Sequence, residues 1–273
     1  MPSIVIGYNV EYRKDRDISA RFLAAAAKLH RSHNAPCTFY LLPELAKELA
    51  KELRMLQGDP LFDFQMTLSS PLKTVCQMTQ GQITVWRGAS LEDIDGALSS
   101  GMHILNELFG IRPTGISDAL GAYRGLMDRP DVLEVLQRHG ILFTRTWARD
   151  RFDWQPVDFA AEPHWYGPQG FPNMLEFPAQ GWQESLIRPI YGWDEVEGYQ
   201  EYLKSEVEET ARREGQVWSF WSRDWSSMRD DKELTAIGAL ITQAQELGVE
   251  LTTHEQAYRE RTVSYTHLTL PTN

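Results

Sequence analysis

The sequence predicts an α/β fold, a single distorted (β/α) barrel of seven or eight units. Short apolar runs typical of strands alternate with longer amphipathic runs typical of helices along the chain. Three helical runs stop at a glycine just before the next strand, at Gly110, Gly140 and Gly248, and glycine suits the left-handed position that ends a helix. Repeated strand–helix order implies parallel strands joined by helical crossovers. With this many units, we favour a closed or nearly closed barrel over an open sheet.

Eight runs are predicted to be strands, and amphipathic stretches lie between them. The predicted strands cover residues 3–8, 37–42, 62–67, 114–118, 141–147, 173–177, 216–222 and 249–252. The clearest helical pattern repeats apolar residues every three or four positions from Leu91 to Leu105. That pattern opens with Ser90 and Asp93 in the spacing of a capping box. In such a barrel, the chemistry lies at the carboxyl ends of the strands.

The end of the chain reads differently from the rest. Residues 263–273 show neither helical nor strand periodicity and resemble a translated sequencing adapter. We therefore assign the barrel to residues 1–262 and interpret residues 263–273 as a non-native tail.

Composition excludes several classes of partner. The chain has 273 residues and a formal net charge of −11, which disfavours nucleic acid and anionic membranes because both attract Lys and Arg. Two cysteines, Cys37 and Cys76, are too few for a disulfide framework. No apolar run reaches the length of a membrane span, and the first residues lack a signal peptide pattern. We expect a soluble, cytoplasmic protein, and the oligomeric state stays open.

Three segments near predicted strand ends carry a family resemblance. Residues 35–40 read A-P-C-T-F-Y, residues 67–71 read T-L-S-S-P, and residues 248–253 read G-V-E-L-T-T. In this order they resemble the polysaccharide deacetylase family, metal-dependent carbohydrate esterases with a distorted (β/α)7 barrel. The resemblance runs over residues 4–258 and implies a hydrolase of acetylated saccharides that usually holds zinc.

The resemblance also implies roles for five positions, and four of them hold the wrong residue for the reaction. Asn9 stands at the position of the catalytic base, and an amide cannot accept a proton from water. Glu11, Met66 and Ser70 stand at the metal-ligand positions, but a thioether and a neutral hydroxyl are poor ligands for Zn²⁺. Arg223 stands at the position of the catalytic acid, and its guanidinium stays protonated at neutral pH.

The simplest interpretation is a family member that has lost the reaction. Ser117 also replaces the arginine that orients the base in the family. We therefore expect no bound metal or other cofactor, no catalytic residue, and a groove that binds a carbohydrate or another small ligand. If the metal is lost, Glu11 needs another counter-charge in a partly buried cleft. We predict that Arg223 supplies it by direct contact.

Two other interpretations stay open at this point. The chain could be an active carbon–nitrogen hydrolase or deacetylase with a rebuilt site that uses Glu11 and Asp224. In that case the two carboxylates, together with Asp118, could hold Mg²⁺ or Ca²⁺ through oxygen. The chain could also be an interaction partner of an active deacetylase, with the barrel only as a scaffold.

Side chains beside the former site are the candidates for ligand contact. Tyr123 follows the position of the family's substrate loop, and the indoles of Trp182 and Trp225 could stack on sugar rings. The full set of ligand-binding candidates is Glu11, Tyr123, Trp182, Arg223, Asp224 and Trp225.

Overall fold

A computed structural model describes residues 1–12, 14–79, 82–192 and 196–269 and confirms the predicted α/β barrel class. The strands are β1 (Ser3–Val10), β2 (Cys37–Leu41), β3 (Phe62–Thr67), β4 (Val75–Thr79), β5 (Gln82–Trp86), β6 (Gly115–Tyr123), β7 (Phe143–Arg149), β8 (His164–Tyr166), β9 (Phe171–Glu176), β10 (Val217–Arg223) and β11 (Glu250–Thr252). The helices are α1 (Arg16–His33), α2 (Pro43–Glu48), α3 (Ala50–Arg54), α4 (Leu91–Phe109), α5 (Pro130–Arg138), α6 (Glu184–Tyr191), α7 (Glu197–Arg212), α8 (Asp224–Asp230), α9 (Thr235–Glu246) and α10 (His254–Thr269). Each of the eight predicted strands overlaps one of these strands.

The main sheet is built around β1, whose residues are all buried. Its strand order is β10-β1-β2-β3-β6-β7-β9-β8, and every pair is parallel except β8 with β9. One edge of β1 pairs with β10 from Ser3 to Asn9. The other edge pairs with β11 at its start and with β2 at its end. Residues at the carboxyl end of β1 therefore lie between the ends of β2 and β10.

A glutamine closes the barrel where the strands do not pair. Among the described residues, no strand pairing joins β9 to β10. The buried side chain of Gln180 bridges this seam: its Nε2 donates to the carbonyl of Val217 at 3.0 Å, and its Oε1 accepts from the amide of Ser219 at 2.8 Å. The same Nε2 donates to the carbonyl of Ala161 at 2.8 Å. One side chain thus replaces part of a strand ladder.

Other elements depart from the sequence prediction. The antiparallel pair β4–β5 was not predicted, and all of β5 is exposed, so it carries no buried face that a sequence pattern could reveal. Strand β6 continues past the predicted end at residue 118, because a bulge lets it pair with β7 as far as Tyr123.

The helix ends follow the prediction. Gly110, Gly140 and Gly248 all have positive φ angles, and Ser90 caps α4 by accepting from the amide of Asp93.

The chain end also differs from its sequence pattern. Helix α10 continues to Thr269 across the predicted domain boundary at residues 262 and 263, because extending a formed helix adds one hydrogen bond per residue. Residues 270–273 lie outside the described residues, and the assignment of a non-native tail stays a prediction. Within the described ranges, no helix has both the length and the apolar composition that crossing a bilayer requires.

Candidate functional site

The amide of Asn9 forms the centre of a buried polar network at the carboxyl end of β1. Its Nδ2 donates to Oε2 of Glu11 at 2.9 Å, and its Oδ1 accepts from the hydroxyl of Ser117 at 3.0 Å. The guanidinium of Arg145 also donates to Oδ1 of Asn9. The acceptor side of the amide therefore faces two donors, while its donor side faces a carboxylate. This pattern fits an amide and not a second carboxylate.

Arg223 neutralises Glu11, which confirms the predicted contact. Nε of Arg223 lies 3.1 Å from Oε1 of Glu11, close enough for an ion pair but without the alignment of a hydrogen bond. Its Nη2 donates to the carbonyl of Ala119 at 2.9 Å, and the guanidinium lies over the ring of Trp221. The two charged side chains are only 14% and 17% exposed. The ion pair is therefore largely shielded from solvent at this end of the barrel.

Arg145 is a buried member of the network that sequence reasoning missed. It donates to the carbonyl of Gly7 at 3.2 Å and packs over the ring of Tyr40, 4.3 Å from its centre. Burial lowers the pKa of Arg145 to about 10, so the side chain stays protonated at neutral pH. The available signal was a charged residue in the middle of a predicted buried strand.

Asp224 anchors the loop that follows β1. Its Oδ2 accepts from the amides of Glu11 and Tyr12, both at 3.1 Å, and from the hydroxyl of Ser19 at 2.5 Å. Its Oδ1 accepts from the amide of Trp225 at 2.8 Å. Burial raises the pKa of Asp224 to about 6. Both oxygens are therefore engaged, and the side chain is fully buried.

One predicted metal-ligand position, Met66, does not join the site, so the predicted convergence of five side chains is wrong there. Alternation along β3 turns Met66 outward, where its sulfur packs against α4 at Gly101, a residue without a side chain. The neighbouring Thr67 points inward, and its hydroxyl accepts from that of Ser117 at 3.0 Å. Ser70 lies exposed in the loop after β3.

The donor set at this end of the barrel does not fit a metal ion. Glu11 is already paired with the guanidinium of Arg223. Asp118 is buried and accepts from the amide of Leu72 at 3.3 Å, and burial raises its pKa to about 7. Among the described residues, no three His, Cys, Asp or Glu side chains are grouped to bind a metal ion. The proposed set of Glu11, Asp118 and Asp224 is therefore not assembled.

A large cleft lies beside the network and holds two of the predicted ligand contacts. Its volume is about 810 Å³, within the usual range for ligand pockets. Tyr123 and Trp182 line it, whereas Glu11, Arg223, Asp224 and Trp225 do not. Trp225 instead lies in the first turn of α8, near the ring of Tyr12. The aromatic side chains along the cleft are Tyr123, Trp147, Phe152, Phe159, Trp182 and Tyr202.

Hydrogen bonds fix the walls of this cleft. The hydroxyl of Tyr202 accepts from the amide of Trp182 at 2.9 Å, which ties the loop after β9 to α7. Nε of Arg149 donates to the carbonyls of Leu120 and Gly121, both at 3.2 Å. Leu120 follows Ala119, the residue whose carbonyl accepts from the arginine of the ion pair. The cleft and the network therefore share the bulged end of β6.

Comparisons with known proteins were made by sequence and by structure. No protein-family model and no curated protein matches the sequence. Among solved structures, the chain is similar to a protein from Mycobacterium smegmatis assigned as a polysaccharide deacetylase, with TM-score 0.66, 13% identity, and coverage of 96% of this chain and 91% of that one.

Two further solved structures resemble the chain. The PuuE allantoinase matches with TM-score 0.67, 16% identity, and coverage of 99% of this chain and 92% of that one. A family 4 carbohydrate esterase pseudoenzyme from Bacillus anthracis matches with TM-score 0.56, 12% identity, and coverage of 94% of this chain and 65% of that one. At these identities the likeness establishes the fold. The chain therefore has the fold of the polysaccharide deacetylases.

Proposed function

We propose that this chain is a divergent, non-hydrolytic member of the polysaccharide deacetylase family that binds a saccharide in its cleft. The observation that carries the proposal is the ion pair of Arg223 with Glu11 beside the amide of Asn9. These side chains stand where the resemblance places the acid, a metal ligand and the base. A cation fixed in the protein holds the carboxylate that a metal would need.

The same geometry disfavours a rebuilt hydrolase that uses Glu11 and Asp224. A general base must reach the water that it deprotonates, but Asp224 is fully buried and both its oxygens accept hydrogen bonds from the protein. Glu11 is held between an amide and a guanidinium. The cleft offers a clearer role, because its aromatic walls can stack on sugar rings.

One of the structural neighbours supports the idea of a silent barrel. The Bacillus anthracis protein is described as a pseudoenzyme, and a mutant of it has restored enzymatic activity. If the present chain has a similar history, substitutions at the network should rebuild a metal site on the scaffold.

Rebuilding the metal site tests the proposal and the alignment together. The variant set Asn9→Asp, Thr67→His, Ser70→His and Arg223→His should bind about one zinc ion per chain, since it supplies a carboxylate pair and three imidazoles. A matched set with Met66→His in place of Thr67→His should bind zinc more weakly, because Met66 faces α4 and the set then offers one imidazole fewer to the site. Zinc content after dialysis is the measurement. If the Met66 set binds zinc and the Thr67 set does not, the assignment of inward-facing positions is wrong.

The wild-type chain provides the decisive control. We expect it to bind no stoichiometric zinc, to release no acetate from acetylated chitooligosaccharides, and to bind saccharides without turnover. Acetate release or one zinc per chain would overturn the non-hydrolytic part of the proposal. If no saccharide binds in titrations, the saccharide-binding part of the proposal is overturned. That result would favour a scaffold that binds a partner protein.

The remaining parts of the proposal rest on composition. Cys37 and Cys76 are both free thiols, which fits a reducing compartment such as the cytoplasm. The net charge of −11 argues against a nucleic acid partner. We therefore place the protein in carbohydrate metabolism as a cytoplasmic saccharide-binding barrel.

A further inference from the structure

The wall of the cleft carries a half-buried carboxylate that makes no close contact with a cation of the protein. Glu206 lies on α7, one helical turn from Tyr202, and is half-buried in the cleft wall. No hydrogen bond or ion pair among the described residues engages its carboxylate. Burial and the nearby Glu209 raise the pKa of Glu206 to about 7, and the nearby Arg213 offsets only part of that rise. A partly buried carboxylate without a counter-charge is costly unless something else supplies the cation.

The other charged side chains that line the cleft have contacts of their own, and Arg151 lies over the ring of Phe152, 4.7 Å from its centre. Arg213 pairs with Glu209 at 2.7 Å. The guanidinium of Arg149 donates to three backbone carbonyls, including that of Asp153 at 2.7 Å. Asp150 accepts from two backbone amides of its own loop. Glu206 is therefore left facing the cleft with its charge available to a ligand.

Aromatic rings line the same cleft as the carboxylate of Glu206. Trp182 and Tyr202 stand on the same wall, joined by the hydrogen bond from the amide of Trp182 to the tyrosine hydroxyl. Phe159 lines the cleft and packs against Trp218 of β10, which fixes its position. Aromatic faces attract cations as well as the apolar faces of sugar rings. The wall thus combines stacking surfaces with a carboxylate that no hydrogen bond or ion pair among the described residues engages.

We propose that the cleft binds a saccharide that carries a free amine, and that Glu206 accepts the ammonium group of that sugar. This inference rests on the proposed saccharide-binding function and names its ligand class. An anionic sugar would face the unpaired carboxylate with a like charge, and an acetylated amino sugar would leave it without a cation. An ammonium group supplies the missing charge and a hydrogen-bond donor together.

Calorimetric titration with two probes tests the inference. The probes are the tetramer of glucosamine and its fully N-acetylated counterpart, both at pH 7 and moderate salt. The wild-type chain should bind the free amine at least about tenfold more tightly than the acetylated sugar, the usual scale of a hydrogen bond to a charged group. Glu206→Gln should abolish this preference and leave the affinity for the acetylated tetramer unchanged.

Two controls separate recognition from general attraction to an acidic protein. Glu208→Gln removes a carboxylate from the same helix, one that pairs with Arg212 and does not line the cleft, and should keep the preference. Tetralysine carries ammonium groups without sugar rings and should bind more weakly than the glucosamine tetramer. Equal urea midpoints for the two variants establish that both are folded.

The outcomes distinguish this inference from the function beneath it. Binding of the acetylated tetramer without a preference for the amine leaves the saccharide function standing and overturns the inference. A preference that survives Glu206→Gln, or tetralysine binding as tight as that of the amino sugar, also overturns it. If neither sugar binds, the proposed function itself fails.

Discussion

Asn9 and Glu11 share a hydrogen bond that two carboxylates could make only with a proton between them. The amide orientation is fixed from three sides, because Ser117 and Arg145 donate to its oxygen and Glu11 accepts from its nitrogen. The network is therefore matched to the residue that is present, with each donor facing an acceptor. A return to the family's aspartate at position 9 would upset that match.

We expect Asn9→Asp to destabilise the chain as the pH rises. Two carboxylates at hydrogen-bond distance raise the pKa of the pair, and the lost amide donor leaves Glu11 facing a like charge. The free energy of unfolding should fall by roughly 2–4 kcal/mol at pH 8 relative to the wild type, and by less at pH 5, where a proton can bridge the pair. Urea unfolding at the two pH values measures this.

The swapped pair is the matched control. In Asn9→Asp/Glu11→Gln the donor and acceptor exchange places and the net charge of the wild type is kept. This double variant should recover at least half of the loss at pH 8. No recovery would mean that the cost comes from the environment of position 9 and not from the pair.

Position along the chain explains which site residues the sequence could predict. Asn9, Glu11 and Arg223 were identified through the family resemblance, and they meet in the structure because β1 and β10 are neighbours that end at the same rim. Met66 was assigned to the wrong face, since a one-residue difference in strand register reverses the direction of a side chain. Arg145 could not be foreseen as a partner of Asn9, because their contact joins β1 and β7, which are not neighbours in the sheet.

Among the elements, the junction between β9 and β10 depends on side-chain chemistry. The side chain of Gln180 forms hydrogen bonds with both Val217 and Ser219 of β10. Its backbone carbonyl also accepts from the indole of Trp218 at 3.2 Å. An amide suits this place because it offers a donor to one strand atom and an acceptor to another.

Gln180→Ala should therefore open the seam. The substitution leaves the carbonyl of Val217 and the amide of Ser219 without their side-chain partner, and each buried unsatisfied group costs about 1–3 kcal/mol. We expect the free energy of unfolding to fall by about 3 kcal/mol or more, with faster hydrogen exchange at the Ser219 amide. Gln137→Ala, on the exposed surface of α5, should stay within about 0.5 kcal/mol of the wild type. Equal losses in the two variants would contradict this role.

The elements that the sequence could predict are those with a buried face. The inner strands read as apolar runs because helices or the barrel interior cover them, as in β1 and β2. The β4–β5 pair could not be predicted, since Ile83, Val85 and Trp86 are all largely exposed and no periodicity separates its two sides. The seam at Gln180 was also beyond reach, because a side chain in a loop carries no strand pattern.

Across the whole molecule, buried groups give opposing dependences on pH. Burial raises the pKa of Asp118 to about 7, so the folded chain holds a proton there that the unfolded chain releases near pH 4. Burial lowers the pKa of His30 to about 4 and that of His254 well below its usual value. Between about pH 4 and pH 7, a rise in pH lowers the free energy of unfolding through the carboxyl group of Asp118 and raises it through the histidines.

Comparison with Asp118→Asn isolates the carboxyl contribution. The folded state binds the proton more tightly, so the unfolding free energy of the wild type minus that of the variant should fall as the pH rises. Between pH 5 and pH 8 this difference should decrease by about 3 kcal/mol and then level off. Urea unfolding at four pH values checks it. A difference that stays constant from pH 5 to pH 8 would refute the prediction.

The loop that begins at Gln180 connects the seam between β9 and β10 to the cleft. Gly181 and Trp182 follow it directly in the chain and form part of the cleft wall. A ligand that packs on the indole of Trp182 would also restrain Gln180, whose side chain bridges the seam between β9 and β10. We therefore expect a ligand bound in the cleft to slow the local opening of the barrel at this seam. Slower hydrogen exchange at the amide of Ser219 would report that the cleft is occupied.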